Sequence, residues 1–214
     1  MSEPERTHMK WLDEGRRLEG GKGLPGVGFD SVHLVRACGL RPDDPIIDVG
    51  GARSSPVLAW LAAGYRDVTV LDDSLDALEA LRERLGRQAG QVTLIEAGVL
   101  RFRPRRRYAL WHDRGVFQYL VHPDDRQLYV EVVQQALRPE GSLVLMTFGP
   151  DGPEEYGGAP VVRYSARTLQ PELGSQFELA EHSLGIRRLT TGEGQQVLCC
   201  SFRRHAPRWP SAST

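Results

Sequence analysis

The sequence predicts an α/β fold, with helices on both faces of a mostly parallel β-sheet and an antiparallel strand at the sheet edge. From Pro45 onward, short apolar runs alternate with segments of helical periodicity, and the connections between them are short. Such alternation is typical of βαβ units. Near the C-terminus, two strand-like runs at 177–185 and 195–202 have no helix between them, which predicts that one of them runs antiparallel.

Seven strands and four main helices are expected in order along the chain. The strands are 46–49, 67–72, 91–97, 108–113, 142–148, 177–185 and 195–202, and the helices are 57–63, 75–85, 123–137 and 165–173. Ser74 is expected to cap the second of these helices, and Gly86 lies just past its end. The segment "RPEG" is expected to stop the third helix and separate it from the fifth strand.

The ends of the chain differ from this pattern. Residues 1–30 are polar and glycine-rich, so we expect a flexible arm or lid, followed by a short helix over Ser31 to Cys38. The folded domain is expected to cover 31–204, and the tail 205–214 is expected to be disordered.

Composition limits the function classes. The 214 residues carry a net charge of -1, which gives no global attraction to nucleic acid or to an anionic membrane. There is no apolar stretch of transmembrane length and no signal peptide near Met1. Cys38, Cys199 and Cys200 form neither a disulfide framework nor a metal-ligand pattern, so we expect no metal and a reducing, cytoplasmic setting. Cys199 and Cys200 are neighbours in a strand, so one is expected to point inward and the other outward, and we interpret them as small hydrophobic residues, not as a reactive pair.

The chemistry-bearing residues follow the strands. Asp48, Asp72, Gly98 and Asp113 lie at or just after the ends of the first four strands. In open α/β sheets, ligands bind beyond the carboxyl ends of the strands, near the point where the strand order reverses. The sequence therefore predicts one site that is built from four turns.

The first two turns indicate a nucleoside cofactor. Gly50 and Gly51 lack Cβ atoms, which allows a ligand to approach the backbone, and the helix start beyond them supplies free N–H groups. Asp72 is placed to accept hydrogen bonds from ribose hydroxyls. These features alone fit NAD(P) nearly as well as another nucleoside cofactor. The pattern G-x-G-x-x-G is not satisfied, however, because Ala52 and Ser55 stand where it needs glycine.

Longer motifs distinguish between these cofactors. "IIDVGG", "VTVLD" and "ALRPEGSLVLMTF" together resemble motif I, the ribose-binding acid and the post-helix turn of class I S-adenosylmethionine-dependent methyltransferases. The resemblance covers about Ser31 to Phe202. "RYALWHDRGVFQYL" and "TFGPDGPEEYGGAPVVRYS" resemble a bacterial branch that is related to lysine methyltransferase-like proteins. The resemblance implies a Rossmann-like seven-stranded sheet, S-adenosyl-L-methionine as cofactor, and methyl transfer to a small-molecule or protein amine.

The resemblance also implies roles for individual residues. Gly50 and Gly51 would pass beneath the methionine part of the cofactor, and Asp48 would orient its amino group. The positions implied to bind the cofactor are Asp48, Gly50, Gly51, Asp72, Asp73, Gly98 and Val99. Three positions around the cofactor depart from the family pattern: Ala52 replaces a glycine, Asp73 an apolar residue on the adenine face, and Gly98 an acid that accepts from the adenine amino group. Tyr156 also replaces a smaller residue in the acceptor loop, and the glycine-rich arm replaces an aromatic-rich N-terminal segment. These departures favour a second hypothesis, a catalytically silent methyltransferase-fold protein that binds a ligand or partner.

The resemblance places the acceptor beside the fourth strand. His112 and Asp113 would face the sulfonium methyl group and remove a proton from an amine, which must be neutral to attack. In the alternative interpretation Asp113 caps the following helix and pairs with Arg114. The loop from Gly149 to Tyr164 would form part of the acceptor pocket, and the residues implied to contact the acceptor are Tyr119, Tyr156 and Arg163. The acidic segment "PDGPEE" favours a cationic acceptor.

The arginine-rich segment between the third and fourth strands bears on possible partners. "RFRPRRRY" has five arginines in seven residues but no interleaved aromatic platform, so we interpret it as a solvated loop and expect no nucleic-acid partner. A non-methylating use of the cofactor in a biosynthetic pathway is a third possibility, and the sequence does not determine the oligomeric state.

Overall fold

The computed structural model describes residues 35–53, 55–188 and 194–205. The expected glycine-rich arm and most of the C-terminal tail lie outside the described residues. The first part of the helix expected over Ser31 to Cys38 also lies outside them, and residues 35–37 are helical. No helix among the residues described here is both long enough and apolar enough to span a membrane.

A seven-stranded sheet forms the centre of the molecule and confirms the predicted fold class. Its strands are β1 (Ile46–Val49), β2 (Val68–Asp72), β3 (Val92–Glu96), β4 (Tyr108–Arg114), β5 (Leu137–Phe148), β8 (Phe177–Arg188) and β9 (Gly194–Arg204). They lie side by side in the order β3-β2-β1-β4-β5-β9-β8. β9 is antiparallel to both β5 and the edge strand β8, and the pairings among β1 to β5 are parallel. The strand order reverses between β1 and β4, which puts the predicted switch point at the turn after β1.

In the described part of the chain, four α-helices connect or cover the strands, in addition to the helical residues 35–37. They are α1 (Val57–Ala62), α2 (Leu75–Leu85), α3 (Pro123–Ala136) and α4 (Ala166–Leu173). As predicted, the Ser74 hydroxyl caps α2 by accepting a hydrogen bond from the Ala77 N–H at 3.2 Å. Gly86 ends the helix with a positive φ of 52°, a conformation that glycine adopts at little cost.

The segment after α3 differs from the prediction. β5 begins at Leu137, directly after the helix, because Leu137 pairs with Tyr108 before the register jumps to Ser142 opposite Leu110. The expected turn "RPEG" is therefore a bulge within the strand, and Glu140 lies in it with a φ of 59°. A second difference lies in the acceptor loop, where the two-residue strands β6 (Glu155–Tyr156) and β7 (Ala159–Pro160) form a small hairpin that the sequence analysis did not predict.

Apolar layers cover both faces of the sheet. Cys199 packs in the layer that includes Trp60 and Leu81, and Cys200 packs in the opposite layer. The two cysteines therefore point to opposite faces of the sheet, but neither points outward as was expected for one of them, because apolar layers cover both faces there. Burial raises the pKa of the Cys200 thiol to about 12, so both side chains serve as small apolar groups.

Candidate functional site

The turn after β1 lies at the switch point and depends on its two glycines. Gly50 has a φ of 67°, in the left-handed region, and its N–H donates to the Leu71 carbonyl at 2.7 Å. A Cβ atom at Gly51 would lie 2.7 Å from Oδ2 of Asp48, closer than two such atoms can approach. Glycine is therefore required at 51 because the Asp48 carboxylate occupies the space of a side chain.

The Asp48 carboxylate is buried and bonded on both oxygens. Its Oδ2 accepts from the Ser55 hydroxyl at 2.7 Å, and its Oδ1 lies 2.7 Å from Nδ1 of His112. His112 faces Asp48 because the two residues are register partners in the parallel pair β1 and β4. The His112 ring is fully buried and packs edge-on against Trp60, with ring centroids 5.2 Å apart. This pair ties the glycine turn to the neighbouring strand.

Asp72 lies at the end of β2 as predicted, but its carboxylate accepts from the backbone. Oδ2 accepts from the Ala52 N–H and Oδ1 from the Ser74 N–H, both at 3.1 Å. The side chain is only 1% exposed. Arg84 of α2 donates to the carbonyls of Ala52 and Arg53, which ties the turn to that helix. The glycine turn and the predicted ribose acid are thus in direct contact.

The predicted adenine side lies at the ends of β2 and β3. Asp73 is half-buried after β2, and Val99 is buried in the short helical turn after β3. A Cβ at Gly98 would meet only the Arg101 guanidinium, with Nη2 at 3.7 Å, which is ordinary contact. Glycine at 98 is therefore not required by packing, in contrast to glycine at 51.

Asp113 is fully buried and bonded to the turn that follows β4. Its carboxylate accepts from the N–H groups of Val116 at 2.8 Å and Phe117 at 3.2 Å. It also accepts from the Tyr129 hydroxyl at 2.6 Å, which in turn accepts from Trp111 Nε1 at 2.9 Å. The carboxylate thus accepts from the backbone at the start of the helical turn Phe117–Tyr119, which agrees with the capping part of the alternative interpretation. Contact of His112 and Asp113 with an acceptor, the other interpretation, would require these buried turns to open and stays a prediction.

Burial raises the pKa of Asp113 to about 6. The hydrogen bonds that the carboxylate accepts from the Tyr129 hydroxyl and from the two N–H groups lower the pKa, but by less than burial raises it. Because the folded-state pKa exceeds the unfolded value, the folded state binds this proton more tightly. The stability linked to this group is therefore fully present below about pH 4 and is lost as the pH rises through about 6.

We expect the carboxyl ¹³C resonance of Asp113 to titrate with a midpoint near 6 in NMR spectra, with assignment by an Asp113→Asn variant. A midpoint near that of an exposed aspartate would contradict the effect of burial.

The acceptor loop packs against the carboxyl ends of β4 and β5. Tyr119 and Tyr156 are buried in a small apolar cluster with Phe148, and the Tyr119 hydroxyl donates to the Tyr156 carbonyl at 3.5 Å. Arg163 is exposed, and its Nη2 donates to Glu154 at 2.8 Å. The structure thus places Tyr119 and Tyr156 together, and Arg163 lies on the outer side of the loop.

Several residues to which the sequence alone assigned no role in the site complete it: Ser55, Trp60, Arg84, Gln118 and Arg187. Ser55 had a usable signal, because a serine before an amphipathic helix is a capping candidate. The other four are brought to the site by strand register and helix packing.

The arginine-rich segment is tied to the fold. Arg106 pairs with Asp67 and lies over the Tyr108 ring at 5.6 Å, and Arg107 donates to the Leu137 carbonyl at 2.9 Å. Within the described ranges, no group of three or more His, Cys, Asp or Glu side chains is arranged to hold a metal ion.

No protein-family model matches the chain, and no curated protein matches its sequence. Solved structures do match its fold. A 1,6-didemethyltoxoflavin-N1-methyltransferase from Burkholderia thailandensis, with bound 1,6-didemethyltoxoflavin and S-adenosylhomocysteine, superposes with a TM-score of 0.68 at 18% identity, covering 96% of this chain and 92% of that one. The N-methyltransferase NodS from Bradyrhizobium japonicum, in complex with S-adenosylhomocysteine, has a TM-score of 0.67 at 16% identity, with coverages of 91% and 98%. The fold is therefore that of S-adenosylmethionine-dependent methyltransferases.

Proposed function

We propose that this protein is an S-adenosylmethionine-dependent methyltransferase that acts on an amine acceptor. The single observation that carries the proposal is the turn at Gly50 and Gly51, which lies at the switch point of a sheet with the methyltransferase strand order. The two superposable enzymes described above are both solved in complex with S-adenosylhomocysteine.

The residues around the turn fit this cofactor. Gly50 gives the turn its left-handed backbone and Gly51 makes room for the Asp48 carboxylate. Asp48 and Asp72 place a carboxylate at the carboxyl end of each of the two adjacent strands. Val99 offers an apolar surface at the end of β3 for the adenine, and Asp73 and Gly98 lie beside it. When bound, the cofactor would supply an electrophilic methyl group on a sulfonium.

The protein's own contribution would be alignment. Asp48 and His112 fix the glycine turn, and Asp113 fixes the turn after β4, so the two sides of the site are held by buried hydrogen bonds. Holding two reactants in attack geometry accounts for much of the rate of such a displacement. Tyr119 and Tyr156 would border the acceptor, and Arg163 would lie at the rim. We propose that this protein is bacterial and cytoplasmic and that it is related to the lysine methyltransferase-like branch.

The test is calorimetric titration with S-adenosylmethionine and S-adenosylhomocysteine. We expect binding to the wild type and its loss in Asp72→Ala, because that variant removes the acid at the end of β2. Asp76→Ala, which removes an exposed acid in the first turn of α2, serves as the matched control and should bind like the wild type. Circular dichroism establishes that each variant is folded. Failure of the folded wild type to bind either compound would contradict the proposal.

One observation favours the second candidate, a silent binding module. The Asp72 carboxylate already accepts from two backbone N–H groups and is almost fully buried, which leaves little of it for ribose hydroxyls unless the turn moves. A protein that binds S-adenosylmethionine but forms no S-adenosylhomocysteine with any member of a broad panel of amines would favour the binding module over the enzyme.

A further inference from the structure

A small cavity lies beside the proposed methyl-transfer site, at the carboxyl ends of β4 and β5. Its volume is about 40 Å³. Its polar lining comes from Arg114, Gln118, Thr147 and Arg187, and Met146, Phe148 and Val197 supply apolar walls. A water molecule needs roughly 10–15 Å³ of such volume, so the cavity fits a head group of a few atoms and not a whole substrate.

The lining is positively charged and rich in hydrogen-bond donors. Arg114 and Arg187 each carry a permanent charge, and none of the described residues that line the cavity is acidic. Guanidinium groups pair with carboxylates in a planar geometry and bind them more strongly than neutral donors do.

Two of the donors are held in place by buried groups. Arg187 Nη2 donates to the Tyr156 hydroxyl at 2.6 Å, and its guanidinium carbon lies 5.5 Å from the centre of that ring. The Gln118 Oε1 accepts from the Phe148 N–H at 2.9 Å, which fixes the orientation of the side-chain amide. Donors that are already ordered lose less entropy when a ligand binds.

Thr147 provides an independent indication of a ligand. Its side chain is 2% exposed, and its Oγ1 has no hydrogen-bond partner among the residues that the structure describes. A buried hydroxyl without a partner is unfavourable, and an acceptor oxygen in the cavity would satisfy it.

Two acids of the acidic loop make their contacts outside the cavity. Glu154 pairs with Arg163 at 2.8 Å, and Asp151 accepts from Gln196 Nε2 at 3.0 Å. Neither acid lines the cavity. Of the acids on which the expected preference for a cationic acceptor rests, Glu154 pairs within the loop and Asp151 bonds to β9.

We propose that this cavity binds a carboxylate of the methyl acceptor, so that the substrate class is an amine that also carries a carboxylate. That the ligand is the methyl acceptor rests on the proposed function. The binding of an anion in this cavity can be tested separately. Arg114 and Arg187 would anchor the carboxylate, and Thr147 and Gln118 would donate to its oxygens.

The experiment uses three probes of similar length: succinate, its neutral diamide, and 1,4-diaminobutane. Each is titrated into the full chain at low salt, with and without S-adenosylhomocysteine, while the backbone amide resonances of Gly115, Thr147 and Phe148 are followed by NMR. Of the three probes, we expect only succinate to cause saturable shifts of these resonances. Arg114→Gln and Arg187→Gln should each weaken succinate about tenfold, the scale of one charge-assisted pair.

Two variants control for charge and structure. Arg187→Lys keeps the charge and should lose less affinity for succinate than Arg187→Gln, and Arg167→Gln removes an exposed charge on α4 and should lose none. The proposal would be overturned if succinate did not shift these amide resonances or if it bound the glutamine variants as tightly as the wild type. It would also be overturned if 1,4-diaminobutane bound as tightly as succinate. Succinate binding in a chain that does not bind S-adenosylhomocysteine would leave the anion site standing and remove the proposed function.

Discussion

Replacing Asp113 with alanine is expected to lower the free energy of unfolding by about 3 kcal/mol or more. The substitution removes the acceptor of two backbone N–H groups and the Tyr129 hydroxyl, all in a buried setting. A buried donor that is left without a partner costs about 1–3 kcal/mol. Removing the desolvated carboxylate relieves some of this cost. The loss of the acceptor outweighs that relief, because Val116, Phe117 and Tyr129, which supply the three donors, all belong to one buried cluster.

The measurement is urea unfolding at pH 5 and pH 8, with two comparison variants. Tyr129→Phe removes one of the three donors and should cost less, whereas Asp124→Ala removes an exposed acid at the start of α3 and should change stability by less than about 0.5 kcal/mol. The difference between wild type and Asp113→Ala should be larger at pH 5, because the protonated carboxyl is the form that the folded state favours. A loss as small as that of Asp124→Ala would mean that the turn after β4 does not depend on this acid.

The predictable part of the fold follows from local rules. Alternating apolar runs and helical segments predicted the seven strands, and the glycines at 50 and 51 predicted the turn, because both signals depend on neighbours in sequence. The bulge after Leu137 was not predictable, since "RPEG" satisfies the local preferences of a turn and only the pairing of Leu137 with Tyr108 makes it part of a strand.

The site was less predictable because its contacts are long-range. His112 meets Asp48 through the register of β1 and β4, and Arg187 meets Tyr156 because β8 lies at the edge of the sheet beside the acceptor loop. Charge counted along the sequence favoured a cationic acceptor, whereas the proposed anion site depends on Arg114 of β4 and Arg187 of β8, which are distant from "PDGPEE" in the sequence.

The turn after β1 offers the sharpest test of the site. Gly51→Ala would put a Cβ atom 2.7 Å from the Asp48 carboxylate, which is itself held by Ser55 and His112. Because these groups are buried, the clash would shift the turn or break the pair with His112, and overpacking of this kind costs about 1–3 kcal/mol. We expect the affinity for S-adenosylhomocysteine to fall by at least about tenfold, equivalent to about 1.4 kcal/mol.

Gly98→Ala is the matched control, because it makes the same change in a neighbouring turn of the proposed site. Its Cβ would lie 3.7 Å from the Arg101 guanidinium, with no closer atom, so stability should change by less than about 0.5 kcal/mol. Calorimetry and urea unfolding of both variants give the comparison. A Gly51→Ala variant that binds the cofactor product as tightly as Gly98→Ala would show that the close approach of Asp48 to the glycine turn is not what shapes the site. The reverse order of affinities would place the critical packing at the end of β3, because only the turn at Gly98 would then be sensitive to a single added methyl group.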